Sequence, residues 1–446
     1  MSRRAYPEYR PSGVEWLGDI PDNWQVVRLK HNSYIKGRIG WQNLRAEEFT
    51  DEGPYLVTGM HFRAGTVDWD SCYHITEERY LMAPEIFVKS GDVLITKDGS
   101  IGKVAYIDTP PGPTSLNSHL LLIRPQKALD YRSRYLYYLL ASEIFQRYAR
   151  MECSGTTFDG ISQEAVSNFH MTIPVPDEQS AIVAFLDRET ARIDALIEKK
   201  QRQIELLQEK RAALISHAVT KGLNPDAPMK DTGIEWLGKI PEHWDVLRIK
   251  HVARMESGHT PDRKVEEYWT NCFIPWVSLN DTSYLIDHDY IDDTTYHVNE
   301  LGLANSSARL LPEKAVVFTR DATIGLSAIM TRPMAVSQHI IAWLCGPRIT
   351  PEYLLRVLYS MTKELDRLTM GATIKTLGMP NVLELVTPLP PLEEQKRIVE
   401  AIERAVPKID TLSAKVRGSI EKLHEYRTAL ISAAVTGKID VRKEVS

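Results

Sequence analysis

This 446-residue chain has no segment that would cross a bilayer as a helix: its longest apolar stretches, such as residues 120–123, are strand-sized, and no window is laid out like a signal peptide. Cysteine is scarce. The four cysteines, Cys72, Cys153, Cys272 and Cys345, are scattered without a CxxC pair, which argues against a cysteine-built metal site and for a reducing, cytoplasmic setting. Positive charge is not in excess either, because the net charge is −5. A generally basic nucleic-acid binder is therefore excluded, and any grip on DNA has to come from locally arranged Lys and Arg or from partner subunits. Catalytic signatures are also missing: there is no phosphate loop of the GxxxxGK[ST] kind, no HExxH, and no Asn-Pro-Pro-Tyr adenine-methylation motif, which Asn224-Pro-Asp-Ala fails to match.

What the chain does have is an internal repeat. Residues 12–31 read SGVEWLGDIPDNWQVVRLKH and residues 232–251 read TGIEWLGKIPEHWDVLRIKH, identical at twelve of twenty positions. A mixed region follows each opening, then a hinge, Ile173-Pro-Val-Pro-Asp-Glu-Gln179 or Leu389-Pro-Pro-Leu-Glu-Glu-Gln395, then a long helical pattern. In the first pattern Ile182, Ile193, Ile204 and Ile215 recur every eleven residues, with Phe185, Leu196, Leu207 and Ala218 three positions later. Displaced by 216 residues, the second has Ile398, Ile409, Ile420 and Ile431 with Ala401, Leu412, Leu423 and Ala434. Eleven residues make three helical turns, so each helix carries one apolar seam. Proline and acidic residues begin each helix, and Gly222 and Gly437 end them. The order is head, helix, head, helix, with expected boundaries at 1–172, 173–222, 223–388 and 389–446.

The heads read as α/β. Short β-branched runs at 93–96, 120–123, 315–319 and 340–344 predict strands, and helices are expected at 132–149 and 351–368. Thr96-Lys-Asp-Gly-Ser-Ile-Gly102 matches Thr319-Arg-Asp-Ala-Thr-Ile-Gly325, and Ser118-His119 matches Gln338-His339. Replacement of Gly99 and Ser100 by Ala322 and Thr323 allows the two loops to differ in backbone conformation. Residues 40–66 have no convincing counterpart in the second head, so the scaffold repeats while an inserted surface differs. His119 and His339, beside apolar strands, are expected to be satisfied core groups, and Trp16, Trp24, Trp236 and Trp244 to be packing residues.

A helix of such length spans roughly 65 Å, and the natural cover for its seam is the other copy. Because a domain's termini are often close together, the second helix is expected to run back antiparallel to the first. The predicted fold class is α+β: two globular heads separated by two long helices packed as an antiparallel coiled coil, with a pseudo-twofold internal repeat. Arg211 and Arg427, at equivalent positions near the seam, are placed to pair across it.

With its repeated EWLG openings, the TKDGSIG and TRDATIG motifs, Gly258-His-Thr-Pro-Asp-Arg263, Tyr268-Trp269, Ile274-Pro-Trp276, the Gly155-Thr-Thr and Gly371-Ala-Thr turns and the hinges ending in Glu-Gln, the chain resembles the specificity subunit of type I restriction-modification systems over essentially its whole length. The resemblance implies a non-enzymatic subunit with two target recognition domains, reading a split, asymmetric sequence in double-stranded DNA. It implies two methyltransferase subunits as partners, with restriction subunits as a further class, and no membrane. S-adenosylmethionine and ATP with magnesium are then expected only in the partners, and no cofactor or metal in this chain. Two other readings compete: a self-contained tandem methyltransferase or nuclease, which the missing motifs oppose, and a coiled-coil adaptor with protein-binding heads.

Base discrimination needs side chains with a fixed donor and acceptor pattern, Arg or Lys for guanine and Asn or Gln for adenine. The candidates are Lys36, Arg38, Gln42, Asn43, Arg63 and Lys97 in the first head and His259, Arg263, Lys264, Asn280 and Arg320 in the second. Lys97 and Arg320 stand out because both sit in the repeated loop after an apolar strand. Each candidate competes with the simpler roles of surface solvation or phosphate contact.

Overall fold

The computed structural model describes residues 5–38, 44–126, 131–153, 160–369 and 375–444. The chain divides into two compact units, Met1–Lys200 with Gly418–Ser446, and Gln201–Arg417. Each unit therefore contains one head, one end of the first long helix, Pro176–Lys221, and one end of the second, Leu392–Val435.

Each head is built on an antiparallel sheet whose central strands are buried on both faces. In the first head the order is Val104–Tyr106, Val93–Thr96, Leu120–Pro125, Ser33–Gly37. The second head repeats it as Ser327–Met330, Val316–Thr319, Ile340–Cys345, Ala253–Ser257, and adds Tyr290–Ile291 at the edge, paired in parallel with Ser327–Met330. Alternate side chains of a strand point to opposite faces. Accordingly Val93, Ile95, Leu121 and Ile123 join the core that includes the helices, while Leu94, Leu120 and Leu122 join a second core on the other side. Val316, Phe318, Ile341 and Trp343 against Val317, Ile340 and Ala342 repeat this division. A strand covered on both faces reads as a continuous apolar run, which is why these were visible in the sequence.

A three-stranded sheet covers the second face. It is ordered Thr114–Leu116, Phe49–Val57, Tyr73–Ile75 in the first head and Ala335–Val336, Ile274–Val277, His297–Val298 in the second. The segment thought to lack a counterpart thus has one: Leu116 pairs in parallel with Val57 as Val336 does with Val277. Only the backbone pairing is shared, so residue identity gave no sign of it.

The helices expected at 132–149 and 351–368 are each broken. Ser142, with ψ 155° and its hydroxyl donating to Leu139 O at 2.6 Å, separates Ser133–Ala141 from Glu143–Glu152. Met361 separates Pro351–Ser360 from Thr362–Leu368.

Within each unit the two helix segments run antiparallel. In the first, Arg427 pairs with Asp194 at 2.9 Å, and further along Thr172 donates to the carbonyl of Val435. In the second, Arg211 pairs with Asp410 at 3.2 Å, and Tyr353 donates to the carbonyls of Val219 and Pro388. Asp194 and Asp410 are 216 residues apart, as are Arg211 and Arg427, so the two bridges are copies of one. Burial works against the charge on Arg427, but the hydrogen bonds and charge of Asp194 prevail and raise its pKa. A double-mutant cycle with R427A and D194A is expected to give a coupling of about 0.5–1 kcal/mol by urea unfolding, since Asp194 remains partly solvated.

Ile182, Ile193, Ile215, Ile398, Ile409 and Ile431 are buried, whereas Leu196 and Leu412 of the companion stripe are 42% and 43% exposed. Three residues turn a helix through about 300°, placing that stripe roughly 60° off the seam. It is buried at Phe185, Ala218 and Ala434, where head residues join the same core. Among the described residues no helix is long and apolar enough to cross a membrane.

Candidate nucleic-acid interface

Three loops meet at one end of the main sheet in each head. The first follows the strand Val93–Thr96 or Val316–Thr319. Thr96 closes it by donating to Ser100 O at 2.5 Å and accepting from Lys103 N at 2.9 Å; Thr319 does the same with Thr323 O at 2.5 Å and Leu326 N at 3.0 Å. The freedom allowed for by Ala322 is not used. Gly99 has φ 70° and Ala322 φ 62°, so the alanine adopts the same left-handed conformation as the glycine, at a cost of roughly 1 kcal/mol.

The second loop carries Asn117–His119 or Ser337–His339 in its turn. Asn117 N donates to Val57 O and Ser337 N to Val277 O, while Lys97 N and Arg320 N donate to the carbonyls of His119 and His339. His119 and His339 are not core groups. His119 is exposed and His339 half-buried, and each directs Nδ1 to a carboxylate of the first loop, Asp98 at 3.1 Å and Asp321 at 2.7 Å. Their position just before an apolar strand suggested burial, but the side chain precedes the buried register and leaves the sheet with the loop. The joint repetition of Asp and His in the two heads was the available signal for this pair.

The third loop is a short capped turn. Thr58 N donates to His61 Nδ1 at 3.1 Å, and Ser278 N to Asp281 Oδ2 at 2.8 Å. Burial lowers the pKa of His61, which favours the neutral imidazole that this accepting role needs. The turn presents Met60, 67% exposed, in the first head and exposed Asn280 in the second. It sits against the first loop, because a side chain at Gly59 would run into Thr96.

The candidates distribute unevenly over this surface. Lys97 and Arg320 lie in the first loop, both half-buried. Arg63 is exposed beside the third loop and donates to Met60 O at 3.1 Å, and Asn280 belongs to that loop's counterpart. His259 is exposed with its carbonyl accepting from Trp276 Nε1, and the next residue, Thr260, donates to Gln338 at 2.6 Å, which brings this segment to the second loop. Arg263 and Lys264 are exposed further along it, in a turn fastened by Trp269 Nε1 to Asp262 O. Lys36 is exposed on the strand Ser33–Gly37, a strand position and not one of the three loops.

Arg38 is a correction. It is 4% exposed and donates inward to Leu116 O at 2.7 Å and Ser115 Oγ at 2.9 Å, with burial pulling its pKa down to about 10. It keeps its charge at neutral pH but spends it on the scaffold. In the second head Gly258 takes that place, and a side chain there would collide with Val336 O. Gln42 and Asn43, and the turns beginning Gly155 and Gly371, lie outside the described residues.

Differing side chains, among them Met60 and Asn280, are therefore presented from two frames closed by a shared hydrogen-bond pattern. Among the described residues no group of His, Cys, Asp and Glu is arranged to hold a metal ion. The chain is 26% identical over 435 residues to the type I restriction enzyme MjaVIII specificity subunit of Methanocaldococcus jannaschii, covering 95% of this chain and 94% of that protein. Its fold resembles a chain solved in work on complex assembly and conformational transition of the type I R-M system, with a TM-score of 0.69 and 16% identity over 93% of this chain and 98% of that one. The HsdS subunit from Thermoanaerobacter tengcongensis gives a TM-score of 0.50 and 17% identity over 94% and 98%. Residues 21–206 and 241–422 each match the family model described as the type I restriction modification DNA specificity domain. With both repeats matched across most of its length, the chain belongs to the family of type I restriction-modification specificity subunits.

Proposed function

We propose that this chain reads a bipartite, asymmetric double-stranded DNA target, one half per head, and assembles two methyltransferase subunits on it, with restriction subunits as a further class of partner. One observation carries the reading: the same three-loop frame is built twice and presents different groups, Met60 and Ser118 in one head, Asn280 and Gln338 in the other. Two copies of one frame with unlike fingers suit two unlike half-sequences. Lys36, Arg63, Lys97, His259, Arg263, Lys264, Asn280 and Arg320 remain candidate DNA contacts, and Gln42 and Asn43 keep that assignment from the sequence; Arg38 leaves the set.

The chain supplies no chemistry of its own. S-adenosylmethionine and ATP with magnesium belong to partner subunits, and the assembly works in the cytoplasm. Heads at 1–172 and 223–388 read, and helices at 173–222 and 389–446 space them. The outer faces of the helices receive the methyltransferases. In support, exposed Leu196 and Leu412 occupy equivalent positions, flanked by Arg192, Lys199 and Lys200 in one helix and Lys408 and Lys415 in the other.

Purified alone with S-adenosylmethionine and DNA, the chain is expected to transfer no methyl group. Assembled with its methyltransferase subunits and offered a randomised duplex pool, it should enrich two half-sequences at a fixed gap. Exchange of residues 258–388 for those of a relative should change one half only. Loss of both halves together, or methyl transfer without a partner, would overturn the reading.

A further inference from the structure

We propose that Gln338 reads an adenine in the half-sequence recognised by the second head, and that Thr260, His339 and Asp321 are positioning residues that orient its amide. The inference rests on the DNA-reading function proposed above and deepens it.

The orientation follows from a chain of hydrogen bonds whose polarity is set at its buried end. Asp321 is 8% exposed and tied into the loop by a bridge to Thr376. A carboxylate only accepts, so the proton at the 2.7 Å contact sits on His339 Nδ1. In the neutral imidazole Nε2 must then accept, and the Gln338 atom 3.1 Å away is the amide nitrogen. This turns Oε1 toward Thr260, whose hydroxyl donates to it at 2.6 Å. Asp321 thereby decides which end of an exposed amide is which.

What the chain leaves over is the reading group. An amide has two N–H donors and two acceptor lone pairs. One of each is used internally, so one donor and one acceptor remain. Adenine in the major groove offers an N7 acceptor and an N6 donor, the complement of that pair, whereas guanine presents two acceptors. The neutral amide has no charge to spend on phosphate. Beside it the half-buried Arg320 guanidinium does carry charge, with its buried Nε in a loose ion pair 3.7 Å from Asp321. The first head carries Ser118 at the equivalent place, so it cannot read adenine by this device, although its Asp98–His119 pair is the same. The sequence candidates omitted Gln338.

The test uses the full chain assembled with its methyltransferase subunits and a duplex pool randomised over the target. With wild type, one position of one half-sequence should be adenine. Gln338→Ala should relax the preference at that position by about ten-fold or more, leaving the other half-sequence intact as a control for folding. Gln338→Glu, which can only accept, should favour cytosine there through its N4 donor. Thr260→Ala should loosen the same position, and Thr260→Ser, which keeps the hydroxyl, should restore it; a merely structural Thr260 would not show that selectivity. A uniform loss of binding across all sequences, or an unchanged adenine preference in Gln338→Ala, would overturn the assignment while leaving the proposed function standing. If wild type enriches no paired half-sequences, the function itself fails.

Discussion

Gln395→Ala is expected to destabilise the second unit by about 3–5 kcal/mol, because it strands several buried backbone groups at once. Gln395 is fully buried at the start of the second long helix. Its Oε1 accepts from Thr350 N at 3.0 Å, and its Nε2 donates to Arg348 O at 2.8 Å and Pro390 O at 2.9 Å. One side chain thus ties the hinge to the first turn of the helix Pro351–Ser360, which Thr350 caps. Each group left unsatisfied costs about 1–3 kcal/mol. Gln179 does the same in the first unit, bonding Arg132 N at 2.8 Å and Pro174 O at 2.9 Å. Urea unfolding of the full chain, followed by hydrogen exchange of amides in the second unit, measures the loss. Gln395→Glu provides the control: it fills the same space but cannot donate, so it should destabilise nearly as much. A neutral Gln395→Glu would show that packing, not hydrogen bonding, gives the residue its weight.

Trp244→Ala is expected to cost a similar 3–5 kcal/mol by leaving a cavity. The indole is fully buried beneath the end of the first helix, where Gly222, at φ +73°, lets the chain turn against its ring. Its Nε1 has no protein hydrogen-bond partner among the described residues. Trp244→Phe, which loses area but no bond, should therefore cost only about 1–2 kcal/mol. Equal losses for the two variants would mean that the N–H carries an interaction of its own.

Both residues belong to motifs that were plain in the sequence, and for a physical reason. A buried Trp and a buried Gln are constrained in size and in bonding, so both repeats retain them. The seam was legible because its isoleucines keep an eleven-residue period, and the core strands because both faces are covered. The site was less so. Arg38 and Gly258 face the same backbone carbonyl position, one by donating to it and the other by making room for it, and no residue-by-residue comparison pairs an arginine with a glycine. The capped turns at Thr58 and Ser278 share a hydrogen-bond pattern but neither the capping residue nor the acceptor. Gln338 was passed over because its meaning depends on Thr260 and Asp321, which the fold brings to it from 78 and 17 residues away in the sequence.

The ends of the two long helices meet their heads in the same way, yet the joints differ in kind. In the second unit the chain passes Gly222 over Trp244 and runs on through a peptide linker to the strand Met229–Asp231. In the first, Gly437 lies over Trp24, Val441 is buried in the core with Tyr6, Tyr9 donates to the carbonyl of Gly437 at 2.9 Å, and the Arg442 guanidinium lies 4.9 Å from the Tyr6 ring. The same packing of a helix end on its head is thus reached by two routes, along one continuous stretch of chain in the second unit and between residues 428 apart in sequence in the first.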